Sequence, residues 1–273
     1  MVLFSGCLSL KESHREINLQ SAQRVHYLFN GCKSLKTLHF DELVFDNALE
    51  IYSLFYGCIE LRNAPKIIAP KAQVAQQVFS GCTKLQTTQE IELPEATNVY
   101  EFYKNCRELT EIKPLITPKA QDWNGVYSDC KMLQKVGSIG GPEVQRTQYL
   151  FHNSPIITDI PNYIDFTSVT QADFCFPSEN PVRIKGELTI KGLRTYLTLN
   201  NCTQLTSIRF DQMDPLCGNL NFSNCAMDAE ALNLLFGDLV ETVYPMTINI
   251  IGNPGARECN PAIAEAKGWT VSR

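Results

Sequence analysis

No window of this chain approaches 18 uninterrupted apolar residues, so no segment is expected to insert in a membrane as a helix. Lys, Arg, Asp and Glu are interspersed, no basic run occurs, and the net charge is -5. Nothing there could neutralise a phosphate backbone, so nucleic acid is not an expected partner. The chain also lacks a CxxC pair, a histidine cluster at ligand spacing and a glycine-rich phosphate loop, which removes the usual sequence signs of a metal or nucleotide site. Its four histidines, His14, His26, His39 and His152, are scattered, whereas a Ser-His-Asp or Cys-His site needs three roles to converge. No catalytic residue, cofactor or metal is expected. Finally, no basic n-region and cleavage site precede the first ordered motif.

What the chain does have is one short phrase written seven times before residue 158: Phe4-Ser-Gly-Cys-Leu-Ser-Leu10, Phe29 to Leu35, Phe55 to Leu61, Phe79 to Leu85, Tyr103 to Leu109, Tyr127 to Leu133 and Phe151 to Ile157. The cysteines stand at 7, 32, 58, 82, 106 and 130, with Ser154 next, in steps of 24 to 26 residues. A fixed period in the twenties means one supersecondary unit per period, each burying its apolar face against its neighbours. The fold class expected is an α/β leucine-rich repeat solenoid of about ten coils. Residues 1–225 form the repeat domain, degenerate over 161–198, and residues 226–273 an αβα cap.

Counting from the cysteine as zero, the columns explain themselves. Ten before stand Ala22, Ala48, Ala72, Ala96 and Ala120; seven before, Val25, Ile51, Ala75, Val99 and Trp123; four before, Leu28, Leu54, Val78, Phe102, Val126 and Leu150. With the aromatic at minus three, these predict one face of a short helix or helical turn. After the cysteine, plus three reads Leu35, Leu61, Leu85, Leu109, Leu133, Ile157 and Leu205, and this half is expected to be the strand. Immediately before the cysteine come Gly6, Gly31, Gly57, Gly81, Asn105, Asp129, Asn153, Asn201 and Asn224, residue types that tolerate positive φ. Pro70, Pro94, Pro118 and Pro142 at plus twelve are expected to open the next helical turn.

The phrase fades where a coil should centre on Ser178, returns at Leu199 to Leu205 and Phe222 to Cys225, and stops. Beyond it, Asp228 is placed as an N-cap, with Leu232, Leu235, Phe236 and Leu239 on one helical face. A strand over Met246 to Ile251, a turn at Gly252 to Gly255, a short helix from Pro261 to Lys267 and an apolar plug at Trp269 complete the expected cap. Phe4 already occupies the aromatic column, so the first coil begins part-way through. The expectation is a longer parent chain, with a signal peptide trimmed from it, or a partner or missing segment covering that coil.

Serine replaces cysteine in register, which a disulfide or ligand column could not tolerate, so the ladder thiols are expected to be buried and to donate to loop carbonyls. Cys217, Cys225 and Cys259 near the cap leave a disulfide open. Binding residues are sought where side chains escape the packing rule. Lys36, Arg62, Gln86, Glu111, Lys135 and Asp159 between the core positions of the strand half form a polar ladder, and Tyr52 and Tyr100 share the minus-six column.

The pattern Ala96-Thr-Asn-Val99-Tyr-Glu-Phe-Tyr-Lys-Asn-Cys106-Arg-Glu-Leu109-Thr-Glu-Ile112 resembles the BspA-like leucine-rich repeats of bacterial surface proteins. The resemblance covers roughly residues 1–225. The ending, from Leu232 through Asn253-Pro-Gly-Ala256 to Trp269, is similar to the module that closes such repeats in gut bacteria and their phages. It implies adhesion, with a protein or glycan partner at a cell surface, a surface or secreted location, and no cofactor. A second expectation, from the same resemblance, is a structural or tail-associated component of a phage virion.

Overall fold

The computed structural model describes residues 3–13, 17, 19–171, 183–194, 196–215 and 217–273. In chain order the elements are β1 (Glu42–Val44), β2 (Lys66–Ile68), β3 (Ile91–Glu92), β4 (Glu111–Ile112), β5 (Leu115–Ile116), β6 (Lys135–Val136), β7 (Tyr163–Asp165) and β8 (Lys185–Lys191). Then come β9 (Leu197–Thr198), β10 (Gln204–Asp211), β11 (Leu220–Asn221), helix α1 (Ala229–Asp238), β12 (Met246–Asn249), helix α2 (Ala262–Glu265) and β13 (Trp269–Ser272). Among the described residues every strand pairing is parallel and joins neighbouring coils, giving a β-solenoid of about nine turns. The coil expected around Ser178 falls mostly outside the described residues.

Each coil meets its neighbours along three ladders. The first runs through plus five, with Glu12 beside Thr37, Asn63 beside Thr87, and Glu111, Lys135 and Asp159 in file. The second is the sheet β1-β2-β3-β5. The third, at minus eight, joins Arg24, Glu50, Val74, Asn98, Asp122, Arg146 and Gln171 in succession. Parallel pairing continues where the phrase fades, because β8 lies between β7 and β10.

The stretch from minus ten to minus three is not helical; among the described residues, all helix lies in α1 and α2. Two left-handed residues per coil break any helix there. One stands in the minus-one column, where all nine Gly, Asn and Asp residues have φ between 55 and 77. The other stands at minus five, in Tyr27, Ser53, Gln77, Glu101, Gly125 and Tyr149, with φ between 52 and 63. From minus seven to minus one alternate N–H groups point out of the coil and donate to the next one: Val25 to Glu50 at 2.9 Å, Tyr27 to Tyr52 at 3.2 Å, Phe29 to Leu54 at 2.7 Å and Gly31 to Tyr56 at 2.7 Å. A helix would have turned those donors back on its own carbonyls. The threefold spacing of apolar residues reflects tight turns rather than a helical face.

The prolines sit differently from expectation for the same reason. Ala72 N–H bonds Ala69 O, Ala96 N–H bonds Leu93 O, Ala120 N–H bonds Thr117 O and Val144 N–H bonds Gly141 O. Each proline is therefore the second residue of a β-turn at a corner, where its fixed φ suits the chain reversal.

The apolar columns form one continuous core. The minus-seven, minus-four and plus-three residues of the full coils are almost all inaccessible. Rings from Phe4, Phe29, Phe55, Phe79, Tyr103, Tyr127 and Phe151 stack in file with centroids 5.2 to 6.5 Å apart. Beside them runs the thiol column. Cys32 Sγ donates to Phe4 O, Cys58 to Phe29 O, Cys82 to Phe55 O, Cys106 to Phe79 O and Cys130 to Tyr103 O, at 2.9 to 3.2 Å.

In residues 226–273, the Asp228 carboxylate accepts from Ala231 N–H at 2.8 Å and caps α1, whose Leu232, Leu235 and Phe236 are buried. β12 pairs with β11, and β13 with β12. Trp269 is buried but opens a strand rather than acting only as a plug, with its Nε1 donating to Val240 O at 2.9 Å.

Candidate functional site

The candidate residues divide between two faces. Lys36, Arg62 and Gln86 occupy the plus-four column, with Glu111, Lys135 and Asp159 beside it at plus five, and all point away from the core. Stacking brings successive coils within reach of one another, so this ladder pairs along its own length. Lys135 Nζ lies 3.5 Å from Glu111 Oε1, Lys113 Nζ lies 2.9 Å from the same oxygen, and Thr87 donates to Asn63 at 2.8 Å. The Lys113 hydrogen bond, aided by the charges of Lys113 and Lys135, holds the Glu111 carboxyl below its usual range. A groove of about 500 Å³ runs along the corner next to this ladder, lined by Lys36, Phe40, Asn63 and Lys66 among others.

Tyr52 and Tyr100 lie on the turn face, built from the minus-six, minus-five and minus-two columns, and both are half-buried. The Tyr52 ring stacks on His26 at 4.0 Å and meets the edge of Tyr27 at 5.2 Å, and His26 Nε2 sits 2.7 Å from Glu50 Oε2. Tyr27 and Tyr56 are 39% and 42% exposed. Three tyrosines and a histidine thus gather over two coils. Of the other histidines, His39 sits 3.0 Å from Glu12 at the surface, His152 is half-buried, and His14 lies outside the described residues.

Further along the same face is a more organised constellation around Glu101. This residue is only 8% exposed, yet both its carboxylate oxygens are hydrogen-bonded. It accepts from Gln77 Nε2 at 2.7 Å, from Tyr100 OH at 2.8 Å and from Lys104 Nζ. Burial alone would raise its pKa, but those three donors and the Lys104 charge outweigh it and keep the carboxyl below its ordinary value. The Tyr100 phenol is pushed up to about 12 by burial and by its bond to Glu101. A groove of about 370 Å³ opens here, bordered by Tyr100, Glu101, Lys104, Asn124, Asp129 and Tyr149.

Sequence reasoning identified Tyr52 and Tyr100 but missed Tyr27, Glu101, Gly125 and Tyr149. A usable signal was present. The minus-five column mixes tyrosine, serine, glutamine, glutamate and glycine, and so obeys neither the apolar rule nor the Gly/Asn rule of its neighbours.

The buried ladder thiols from Cys32 to Cys130 offer little chemistry. Burial pushes Cys32 up to about 11 and Cys130 up to about 12, and holds Cys58, Cys82 and Cys106 well above the ordinary thiol value. All ten described cysteines are free in this structure, and Cys175 lies outside the described residues. Among the described residues no group of three His, Cys, Asp or Glu side chains could hold a metal ion, and no helix is long and apolar enough to cross a membrane. No protein-family model matches this chain, and no curated protein matches it in sequence.

Proposed function

We propose that this solenoid is a non-enzymatic binding protein of the BspA-like leucine-rich repeat type. It presents a repeat-built surface to a host, matrix or cell-surface protein or glycan, at the cell surface or after secretion, and residues 226–273 close the stack. The observation that carries this reading is the tyrosine-rich turn face. Tyr27, Tyr56 and Tyr149 are 39% to 46% exposed on one side of the stack. Tyr27 and Tyr149 are also held at φ 57, a costly conformation for a bulky residue. Large amphipathic rings presented by a rigid scaffold are the anchors that dominate binding surfaces.

The test is binding of the purified chain to an array of host glycans and extracellular-matrix proteins, with two variants alongside. One replaces Tyr27, Tyr56 and Tyr149 by serine; the other replaces Lys36, Arg62, Gln86, Glu111 and Lys135 by serine. Saturable binding lost in the first variant places the function on the turn face, and loss in the second moves it to the polar ladder. Failure to bind anything on the array overturns the reading.

A second reading, from the same resemblance, is a structural or tail-associated component of a phage virion. Co-purification of the chain with assembled virions would select this reading over the first.

A further inference from the structure

The minus-five side chains form a file along the turn face. Ser53 Oγ lies 3.5 Å from Gln77 Oε1, and Gln77 donates to Glu101 at 2.7 Å. The file then skips a rung, because Gly125 brings no side chain, and resumes with Tyr149. Backbone conformation does not account for the glycine. The same position holds Tyr, Ser, Gln and Glu at φ 52 to 57 in other coils, against 63 at Gly125. A Cβ there would meet Glu101 Cγ at 3.3 Å and Ser128 Cβ at 3.8 Å, and would begin to fill the groove. Two coil steps, about 10 Å, separate the rungs on either side of the gap.

The groove's edges have a definite chemistry. Tyr149 is 46% exposed and meets His152 edge-on at 5.8 Å. Asn124 spends its carbonyl oxygen on Gln148 N–H at 2.7 Å, which leaves its Nδ2 donors without a partner among the described residues. Asp129 accepts from Asn153 at 3.1 Å and Ser128 at 3.2 Å and keeps acceptor capacity on both oxygens. Glu101, bonded through both oxygens, fixes Tyr100 and Lys104 in place. An aromatic platform with fixed donors and acceptors in alternation suits a ligand whose every polar group both donates and accepts and whose ring faces carry C–H bonds. Carboxylates at the edge disfavour an anionic ligand.

We propose that the gap at Gly125 is the subsite for a neutral glycan unit, its ring set against Tyr149 and its hydroxyls bonded to Asn124 and Asp129. This rests on the binding reading above and names its ligand class. The test is titration of the chain with a panel of neutral oligosaccharides of hexose and N-acetylhexosamine units, and with sialylated and sulfated counterparts, followed by calorimetry or amide NMR shifts. Gly125→Gln should fill the gap as Gln77 fills its own rung, and Tyr149→Ala should remove the platform without touching Gly125. Each is expected to weaken neutral-glycan binding by roughly tenfold or more, with Lys71→Ser at an exposed proline corner leaving it unchanged. Anionic counterparts should bind more weakly than their neutral parents. Neutral-glycan binding that survives both Gly125→Gln and Tyr149→Ala overturns the proposal. So does a chain that binds array proteins but no neutral glycan, an outcome that leaves the wider binding reading standing. Absence of all binding removes both.

Discussion

The Ser154 hydroxyl donates to the Tyr127 carbonyl oxygen at 2.6 Å, repeating with oxygen the bond that Cys130 Sγ makes to Tyr103 O at 3.2 Å one coil earlier. The same hydroxyl accepts from Cys130 N–H at 3.0 Å. What this column requires is a small side chain that reaches one fixed carbonyl; sulfur is not essential to it.

Cys106→Ser is therefore expected to cost less than about 1 kcal/mol, because the bond to Phe79 O can re-form. Leu109→Ala, three residues on and wholly inaccessible, should cost about 2 to 5 kcal/mol as a cavity-forming change. Urea unfolding followed by circular dichroism compares the two; equal losses would assign the thiol a further role.

Alkaline pH should destabilise the protein through the thiols. Burial favours the neutral form, so the unfolded chain loses its protons first, near the ordinary value of 9.0, while Cys130 keeps its own up to about 12. Stability is whole below pH 9 and falls between those limits, by about 1 kcal/mol per fully buried thiol at pH 10. Unfolding midpoints measured from pH 8 to 10.5 should show a shallower fall in Cys130→Ser. A parallel fall in both proteins would refute the assignment.

Glu101 gives the opposite dependence. Its carboxyl is more acidic folded than unfolded, so its contribution is present above the ordinary value of 4.5 and lost as pH falls through the lower folded one. Glu101→Ala strands Lys104, Gln77 and Tyr100 and should cost about 1 to 3 kcal/mol at pH 7. The gap between variant and parent, read from thermal midpoints, should close as pH is lowered.

Gly81 is held at φ 77 with Gly57 N and Cα each 3.4 Å from where a Cβ would stand. Gly81→Val should cost about 2 kcal/mol or more. Gly81→Asn should cost much less, since Asn105, Asn153, Asn201 and Asn224 adopt the same conformation in the same column. Equal losses for Val and Asn would mean that contact, not φ, governs the site.

The columns that face inward were legible because burial leaves few choices. Leu109 and its equivalents and the aromatic file are buried, and the Gly/Asn column has the positive φ expected of it, although none of them borders a helix. The turn segment was misread because residues at minus ten, seven and four recur as a helix would have them, and only the left-handed residues at minus five break the pattern. Tyr27, Glu101 and Tyr149 give no sign of positive φ in a single coil, since nothing local favours it in tyrosine or glutamate. Lys36 to Asp159 were conspicuous as charges, but Lys113, Lys135 and Glu111 satisfy one another, whereas the gap at Gly125 shows only when side chains from three coils are superposed.

The inter-coil direction of the backbone hydrogen bonds sets how the protein answers to force. With Val25, Tyr27, Phe29 and Gly31 all bonded to the following coil, tension applied between the ends of the stack loads these bonds lengthwise, a few at a time. The stack should therefore yield coil by coil from an end, like a zip. Each 24-residue coil would release about 80 Å of extended chain while those behind it still hold.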